Sequence, residues 1–356
     1  MFDNTIGKIN ISLKDFVEGA SGRIGLQKAS PALYSGILEF VTRPGKRIRP
    51  VLFLISFKGY SESRTKVTRG LIRCSLAFEL LHDFLLVHDD VIDNSSLRRG
   101  KPTLHKVFNK KLGVPGGSRI GSDLAIVAGD IIAALSVEAL LSFNAPAELK
   151  EKALLEFTKA MSITGVGEFI DIVNNLTCME KVKKNDVLMT YIYKTARYTF
   201  EAPLVIGAIL SGCARSEIKK LSVLGTTLGQ AFQLQDDMLD VFFSAKKTGK
   251  PVLSDIAESK KTLMAWKAYE NLNLSGKKRA SAILAKKDKT PSDIEEFRSL
   301  IISSGSGKYC LDLALSLLNA SRSLIPALKM GASSKKALSD FVERSFCKIN
   351  SLGDVL

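Results

Sequence analysis

The sequence has few of the residues that cross-link small secreted proteins or bind zinc. Its 356 residues include 5 cysteines and 3 histidines. The cysteines are scattered, no two form a CxxC pair, and no HExxH motif occurs. This pattern argues against a disulfide framework and a zinc site, and it favours a reducing, cytoplasmic location. Residues 1–10 lack the charged start and apolar block of a secretory signal, so we expect none.

Long hydrophobic runs and strand-like alternation are also missing. No stretch approaches 18 uninterrupted apolar residues, because the best candidates contain Asp130 or the pair His82 and Asp83, and we expect no membrane span. Apolar residues still make up 46% of the chain, which excludes intrinsic disorder. Proline is scarce, with 10 residues, and no break is long enough for a linker. We therefore expect a single domain over residues 1–356.

The chain is instead rich in helical periodicity, with apolar residues at spacings of three and four. Helices are predicted at 51–57, 68–93, 123–143, 148–174, 183–209, 216–243, 260–271, 292–303 and 307–325. Breaks are predicted at 44–50, 94–102, 113–121, 210–216, 244–254 and 274–291, where Gly, Pro, Ser and Lys collect. The predicted fold is all-α, one large helical bundle. Helices that are apolar on most faces, such as 124–141, lie at a bundle centre or in the interface of a homo-oligomer.

Two clusters of aspartates carry most of the chemical information. The first aspartate cluster is Asp89, Asp90 and Asp93, and the second is Asp236, Asp237 and Asp240. The spacing of four places the outer members of each cluster on one face of a helix. One cluster alone is equally well explained by a solvated helix face. Two, each after an apolar helical run, favour a shared cavity that holds magnesium or manganese, since carboxylate oxygens select these hard cations over zinc.

Basic residues flank both clusters, and the net charge is +15. That charge alone leaves nucleic acid, anionic lipid and phosphate open as partners. Its placement favours phosphate. The cationic loop, Gly45–Pro50, contains three cations, and Arg98 and Arg99 can fold back over the first cluster. Two cationic sets predict two diphosphate substrates, one held by metals and one by cations alone. His82, two turns before Asp89, would donate to a phosphate or be a hydrogen-bonded core histidine.

These residues resemble the trans-isoprenyl diphosphate synthases of the polyprenyl synthetase family. The segments HDDVIDNSSLRRGKPTLH and QAFQLQDDMLD resemble its two aspartate-rich motifs. Further segments occur in family order, namely GKRIRP, the segment Gly165–Asp171, Lys194-Thr195, Gly249-Lys250 and the segment Ser254–Thr262. The resemblance covers residues 35–344. One departure is Pro44, where the family more often has glycine.

The resemblance implies an isoprenoid synthase fold with a central cavity and a magnesium-dependent 1′-4 condensation of an allylic diphosphate with isopentenyl diphosphate. Three magnesium ions would bind Asp89, Asp93 and Asp236, with Asp90, Asp237 and Asp240 in support, and manganese would substitute. The allylic phosphates would contact Arg98, Lys194, Lys250 and Lys260. Isopentenyl diphosphate would contact Gly45, Lys46, Arg49, His82 and Arg99. Thr195 and Gln233 would stabilise the allylic cation.

Product length depends on the helix before the first cluster. Phe84 is fifth before Asp89 and Leu85 is fourth. One aromatic residue at the fifth position resembles archaeal-type geranylgeranyl synthases, so a twenty-carbon product is expected and a fifteen-carbon product is the alternative. Ordinary core packing is the alternative interpretation of Phe84.

Other functions fit less well. A class I terpene cyclase would not need Lys46, Arg49 and Arg99, because it takes no second diphosphate. A non-catalytic partner subunit usually has damaged aspartate motifs, and a nucleic-acid-binding protein would have few aspartates. We expect a homodimer that binds no nucleic acid, with its surplus positive charge available for peripheral contact with anionic membrane.

Overall fold

The computed structural model describes residues 2–61, 67–115, 118–243 and 253–353. Nearly every element in these ranges is a helix, which confirms the all-α prediction. The α-helices are α1 (Phe2–Arg23), α2 (Leu26–Ala29), α3 (Pro31–Val41), α4 (Ile48–Tyr60), α5 (Arg69–Ile92), α6 (Leu104–Lys111), α7 (Ile120–Leu140), α8 (Ala147–Leu176), α9 (Lys184–Thr190), α10 (Ala202–Leu210), α11 (Arg215–Phe242), α12 (Ser254–Ala257), α13 (Leu263–Asn271), α14 (Leu274–Ala285), α15 (Pro291–Ser303), α16 (Ser306–Leu324), α17 (Ala332–Ser345) and α18 (Ile349–Gly353).

Shorter elements complete the described chain. A π-helix spans Tyr191–Glu201, and 3₁₀ turns lie at Met179–Lys181 and Ile325–Ala327. Strands β1 (Leu97–Arg98) and β2 (Lys101–Pro102) form an antiparallel hairpin. This hairpin occupies a predicted break directly after the first aspartate cluster. Because it contains Arg98 and Arg99, it determines where these two arginines point.

Helix starts are set by side-chain caps. Thr68 accepts a hydrogen bond from the Leu71 amide at 3.1 Å before α5, and Thr262 caps α13 in the same way. Such caps satisfy amides that have no partner inside the helix. Residues 274–291 were predicted to be a break, and this prediction is wrong because α14 lies there. The buried face of α14 includes Gly276 and Ala280, so its apolar periodicity is weak in the sequence.

The chain divides into two compact units. The first comprises Met1–Phe157 and Val205–Cys213, and the second comprises Thr158–Leu204 and Ala214–Leu356. The first unit has an aromatic core. The centroid of the Phe78 ring lies 5.2 Å from that of the Phe53 ring and 5.7 Å from that of the Phe157 ring. In the second unit the Phe232 ring lies 5.3 Å from Phe200. The single domain over residues 1–356, with its motif-bearing core at 35–344, stays a prediction.

One described helix, α7, is long and apolar enough to cross a membrane by length and composition alone, with a mean hydropathy of 1.8. The sequence prediction excluded a span here because Asp130 interrupts the apolar run. In the apolar 18-residue stretch of this helix, 39% is buried inside the structure. A single helix of this kind is weak evidence for a span, since core helices of soluble proteins meet the same criterion.

Candidate active site

The first aspartate cluster lies at the end of α5. Asp93 is the C-cap residue, and its amide donates to the Asp89 carbonyl at 2.8 Å, so the two residues are one helical turn apart. The spacing in the sequence predicted this arrangement. A helix C-terminus carries partial negative charge, so carboxylates there are unfavourable unless cations compensate them.

Arg98 on β1 supplies part of that compensation. Its Nε donates to Asp90 Oδ1 at 2.7 Å, and its Nη2 donates to Asp89 Oδ2 at 2.9 Å. Burial acts to lower the pKa of Arg98, but the Asp90 and Asp89 carboxylates outweigh it and raise that pKa. The guanidinium therefore stays charged and joins two carboxylates of the cluster.

Asp90 is the buried member of the cluster. Its side chain is 1% exposed, and its Oδ2 has no hydrogen-bond partner among the described residues. Burial raises the pKa of Asp90 to about 6, although Arg98 opposes the shift, and the nearby Asp89 and Asp93 charges add to it. A buried carboxylate oxygen without a protein partner, beside two further carboxylates, fits a site that binds a cation.

The described residues contain no preassembled cage of three or more His, Cys, Asp or Glu side chains for a metal ion. Magnesium usually keeps several waters and binds through one or two carboxylates together with substrate phosphates. The donor set of each cluster, carboxylate oxygen alone, fits magnesium in that mode.

The hairpin separates two adjacent arginines. Arg99 and Gly100 form its turn with positive φ values of 54° and 73°, whereas Arg98 points to the aspartates. Arg99 lies against the cationic loop. A Cβ added to Gly45 of this loop would be 3.3 Å from Nη1 of Arg99. The sequence predicted that both arginines fold back over the first cluster, and the structure brings Arg98 there but places Arg99 at the loop.

The three cations of the cationic loop differ in exposure. Lys46 is exposed, Arg49 is 9% exposed and Arg47 is 2% exposed. His82 on α5 lies near this loop, and its pKa is lowered by burial and by the charges of Arg49 and Arg99. A neutral imidazole is therefore expected, and it can donate one hydrogen bond without adding charge.

The second aspartate cluster lies on α11, and two of its members have oxygens that accept hydrogen bonds from protein groups. Asp237 accepts from the Tyr191 hydroxyl and, at 2.8 Å, from the Gln233 amide. Asp240 accepts from the Ser254 hydroxyl at 3.1 Å and from the first amides of α12. Burial raises the pKa of both carboxyl groups. Both side chains are held in fixed orientations, and their metal-ligand roles stay predictions.

A chain of hydrogen bonds leads from the π-helix to Asp237. Thr195 Oγ1 donates to Gln233 Oε1 at 2.8 Å, which leaves the Gln233 amide to donate to Asp237. The predicted pair Thr195 and Gln233 is thus in contact. π-Helical segments are rare and often occur at functional sites. The sequence prediction treated residues 183–209 as one continuous helix and did not foresee the π-helix.

The predicted phosphate-binding lysines of the second unit are paired with carboxylates. Lys194 Nζ lies 2.7 Å from Asp171 and 2.8 Å from Glu168. Lys260 lies 2.7 Å from Glu258. Lys250 falls outside the described residues. An anionic ligand at these lysines would compete with carboxylates that already neutralise them.

The chain-length residues lie one turn before the first cluster. The Phe84 ring contacts the His88 ring edge-on, with centroids 4.6 Å apart, and Phe84 and Leu85 are both half-buried. His88 in turn lies against Gly129 of α7, where an added Cβ would be 2.5 Å from the imidazole. The Phe84 ring is therefore in contact with His88, and its side chain is partly exposed.

Tyr191 is a site residue that sequence reasoning missed. Its buried hydroxyl donates to Asp237 and accepts from the Leu263 amide at 2.8 Å, so it joins the π-helix, α11 and α13. The signal in the sequence that could have marked it is its position three residues before Lys194.

Replacing Tyr191 with Phe is expected to lower the free energy of unfolding by about 1–3 kcal/mol, because a buried amide and a buried carboxylate oxygen lose their partner. Urea denaturation of the two proteins would measure the difference. Tyr269→Phe is the matched control, since the Tyr269 hydroxyl contacts the exposed Glu180 at 2.9 Å, and a smaller loss is expected. Equal losses in the two variants would contradict the bridging role of Tyr191.

The chain is similar to known proteins in sequence and in fold. The polyprenyl synthetase family model matches residues 31–301. The geranylgeranyl diphosphate synthase of Sulfolobus acidocaldarius is 33% identical over 319 residues, which is 89% of this chain and 88% of that protein. The fold matches geranylgeranyl pyrophosphate synthase from Corynebacterium glutamicum, solved with isoprenyl diphosphate and magnesium, at a TM-score of 0.89 and 24% identity, covering 97% of this chain and 99% of the other.

A geranylgeranyl pyrophosphate synthetase from Pyrococcus horikoshii has a TM-score of 0.77 at 29% identity, with 96% of this chain and 98% of the other covered. The family model spans residues from both compact units and includes both aspartate clusters. The chain therefore belongs to the polyprenyl synthetase family, and the predicted enzyme class, a short-chain prenyltransferase, is confirmed.

Proposed function

We propose that this enzyme condenses an allylic diphosphate with isopentenyl diphosphate and releases geranylgeranyl diphosphate. The observation that carries the proposal is the separation of Arg98 from Arg99. One guanidinium contacts the aspartates, and the next lies at a cationic loop without them. This division supports two diphosphate sites of different chemistry, one that uses carboxylates with metal and one that uses cations alone.

The metal site would use the carboxylates of both clusters. Asp89, Asp93 and Asp236 would hold three magnesium ions, supported by Asp90, Asp237 and Asp240, and manganese would substitute. Bound magnesium neutralises the diphosphate and makes it a better leaving group. The unpartnered Oδ2 of Asp90 and the all-oxygen donor set support this assignment.

The protein's own cations would complete the allylic site. Arg98, Lys194 and Lys260, with Lys250 from outside the described residues, would contact the departing diphosphate as the bond between C1 and its oxygen breaks. Preorganised positive charge stabilises the negative charge that develops there. Lys194 would exchange part of its ion pairing with Glu168 and Asp171 for phosphate oxygens.

The second substrate would bind at the cationic loop. Gly45, Lys46, Arg49, His82 and Arg99 would contact isopentenyl diphosphate. Its double bond attacks C1 of the allylic cation, a new carbon–carbon bond forms, and a proton leaves to the released diphosphate. The oxygen of Thr195 and the carbonyl of Gln233, fixed by their mutual hydrogen bond, would stabilise the cation.

The test is product analysis. Purified protein with magnesium would receive dimethylallyl, geranyl or farnesyl diphosphate in separate reactions, each with and without isopentenyl diphosphate, followed by chromatography. A twenty-carbon product from each primer is expected, as the names of the relatives at 32–33% identity support. A fifteen-carbon product would correct the length only. Product from an allylic primer without isopentenyl diphosphate would point to a terpene cyclase, and no product at all would contradict the proposal.

Replacing Phe84 with Ala is expected to lengthen the product by one or more five-carbon units, because the ring would form the floor of the elongation pocket. The chain-length profile measured with geranyl diphosphate as primer would show this. Leu85→Ala is the matched neighbour on the same helix, and a smaller shift is expected from its smaller side chain. An unchanged profile in Phe84→Ala would contradict the assignment.

We also propose that the enzyme is a homodimer. Apolar side chains on α8 are exposed at helical spacing, namely Phe169 at 69%, Val173 at 43% and Leu176 at 84%. Such a stripe is unfavourable in water and is typical of an interface. Light scattering would give the mass in solution, and a monomer at micromolar concentration would contradict the proposal. Cytoplasmic location and contact with anionic membrane stay predictions.

A further inference from the structure

The cationic loop contains one arginine that is turned into the protein. Arg47 is 2% exposed and has a φ of 49°, in the left-handed region that a long side chain seldom adopts. It stands at the N-cap of α4 between Lys46 and Arg49, both of which we assign to isopentenyl diphosphate. A backbone of this kind persists only where surrounding contacts hold it.

Three contacts hold Arg47. Its Nη1 donates to Glu79 of α5 at 2.5 Å, its Nε donates to Asn10 Oδ1 of α1 at 2.8 Å, and its Nη2 donates to the Arg43 carbonyl at 2.8 Å. Glu79 is itself 1% exposed. All three guanidinium nitrogens therefore donate hydrogen bonds to protein groups. These bonds link Arg47 to α1, to α5 and to the backbone just before the loop.

The charge around Glu79 favours this pair. Asp83, one turn further along α5, is fully buried, and neither of its carboxylate oxygens has a hydrogen-bond partner among the described residues. Burial and the Glu79 charge raise the pKa of Asp83, against the opposing charges of Arg99, Arg47 and Arg49. The guanidinium of Arg47 therefore faces Glu79 in a buried ion pair whose opposite charges compensate each other.

We propose that Arg47 is a positioning residue for the isopentenyl diphosphate site. Held by Glu79 and Asn10, it fixes the left-handed turn that sets the positions of Lys46 and Arg49. The N-terminal helix α1, which precedes the residues matched by the family model, thereby contributes to substrate affinity. The inference rests on the proposed function, because it assigns a cause to the geometry of one of its two sites.

The experiment compares Glu79→Gln and Asn10→Leu with the wild type in steady-state kinetics, varying each substrate in turn. Glu79→Gln is expected to raise the KM for isopentenyl diphosphate about tenfold, and Asn10→Leu about threefold, with kcat and the KM for the allylic substrate within about twofold. This split distinguishes positioning from instability, since a partly unfolded enzyme loses kcat while both KM values stay the same.

Glu138→Gln is the matched control. Glu138 forms an exposed ion pair with Arg23, also on α1, so this variant removes a different attachment of the same helix. Its KM values are expected to match the wild type. If Glu79→Gln does not fold, Asn10→Leu carries the test, because Asn10 is exposed. An unchanged KM for isopentenyl diphosphate, or equal rises for both substrates, would overturn the inference. A wild type that condenses no substrates would instead refute the proposed function.

Discussion

Replacing Asp89 with Asn is expected to lower kcat by about three orders of magnitude, which corresponds to about 4 kcal/mol of lost transition-state stabilisation. The amide keeps the shape of the side chain and an oxygen for the Arg98 contact at 2.9 Å, but it removes the charge. In the proposed site a metal-bound diphosphate would depend on that charge, because a neutral amide oxygen is a much weaker magnesium ligand. Single-turnover rates with geranyl and isopentenyl diphosphates would measure the loss.

A second measurement separates metal binding from folding. The unfolding temperature of Asp89→Asn without ligand is expected to stay close to that of the wild type, because Arg98 keeps Asp90 as a partner. Magnesium with inorganic diphosphate should raise the unfolding temperature of the wild type much more than that of the variant. Asp123→Asn, which alters an exposed carboxylate paired with Arg119, is the control. A loss of kcat below tenfold would contradict the role of Asp89 as a ligand.

The first aspartate cluster could be predicted from the sequence because its geometry is local. An apolar run that starts after Thr68 marks a buried helix, and a spacing of four places Asp89 and Asp93 one turn apart in any α-helix. The predicted segment 68–93 and the observed Arg69–Ile92 differ by one residue at each end. The position of Arg98 also follows locally, because the short hairpin returns the chain to the end of the helix.

Which cations of the cationic loop are exposed and which are buried could not be predicted from the sequence. Lys46, Arg47 and Arg49 have similar chemistry, and no periodicity distinguishes an exposed cation from a buried one. The outcome depends on Asn10 and Glu79, which are 37 and 32 residues distant in sequence from Arg47. Contacts between residues so far apart in sequence produce no recognisable pattern within the loop sequence.

The π-helix shows a different limit. Its sequence has the apolar spacing of an ordinary helix, and the extra residue per turn becomes visible only in the structure. The changed turn brings the Tyr191 hydroxyl to Asp237 and the Thr195 hydroxyl to Gln233. The sequence therefore predicted the candidate site residues of the second unit but not the hydrogen bonds that orient them.

Replacing Gly167 with Ala is expected to lower the free energy of unfolding by about 3 kcal/mol, because an added methyl group would overlap the π-helix. A Cβ at Gly167 of α8 would lie 2.6 Å from the Tyr193 carbonyl carbon and 2.8 Å from Lys194 Cα. Both neighbours are backbone atoms and cannot rotate away, so the two helices must separate. Urea denaturation would measure the loss of stability.

The same change is expected to reduce kcat, because the displaced backbone carries Lys194 and Thr195. A displacement of about 1 Å can cost about 100-fold in rate. Gly165→Ala is the matched control two residues earlier on α8, where an added Cβ meets nothing within 4 Å. At that exposed helical position alanine should stabilise the protein by roughly 0.5–1 kcal/mol without changing kcat. If both variants gave the same stability and rate, close approach of α8 to the π-helix would not be what orients Lys194 and Thr195.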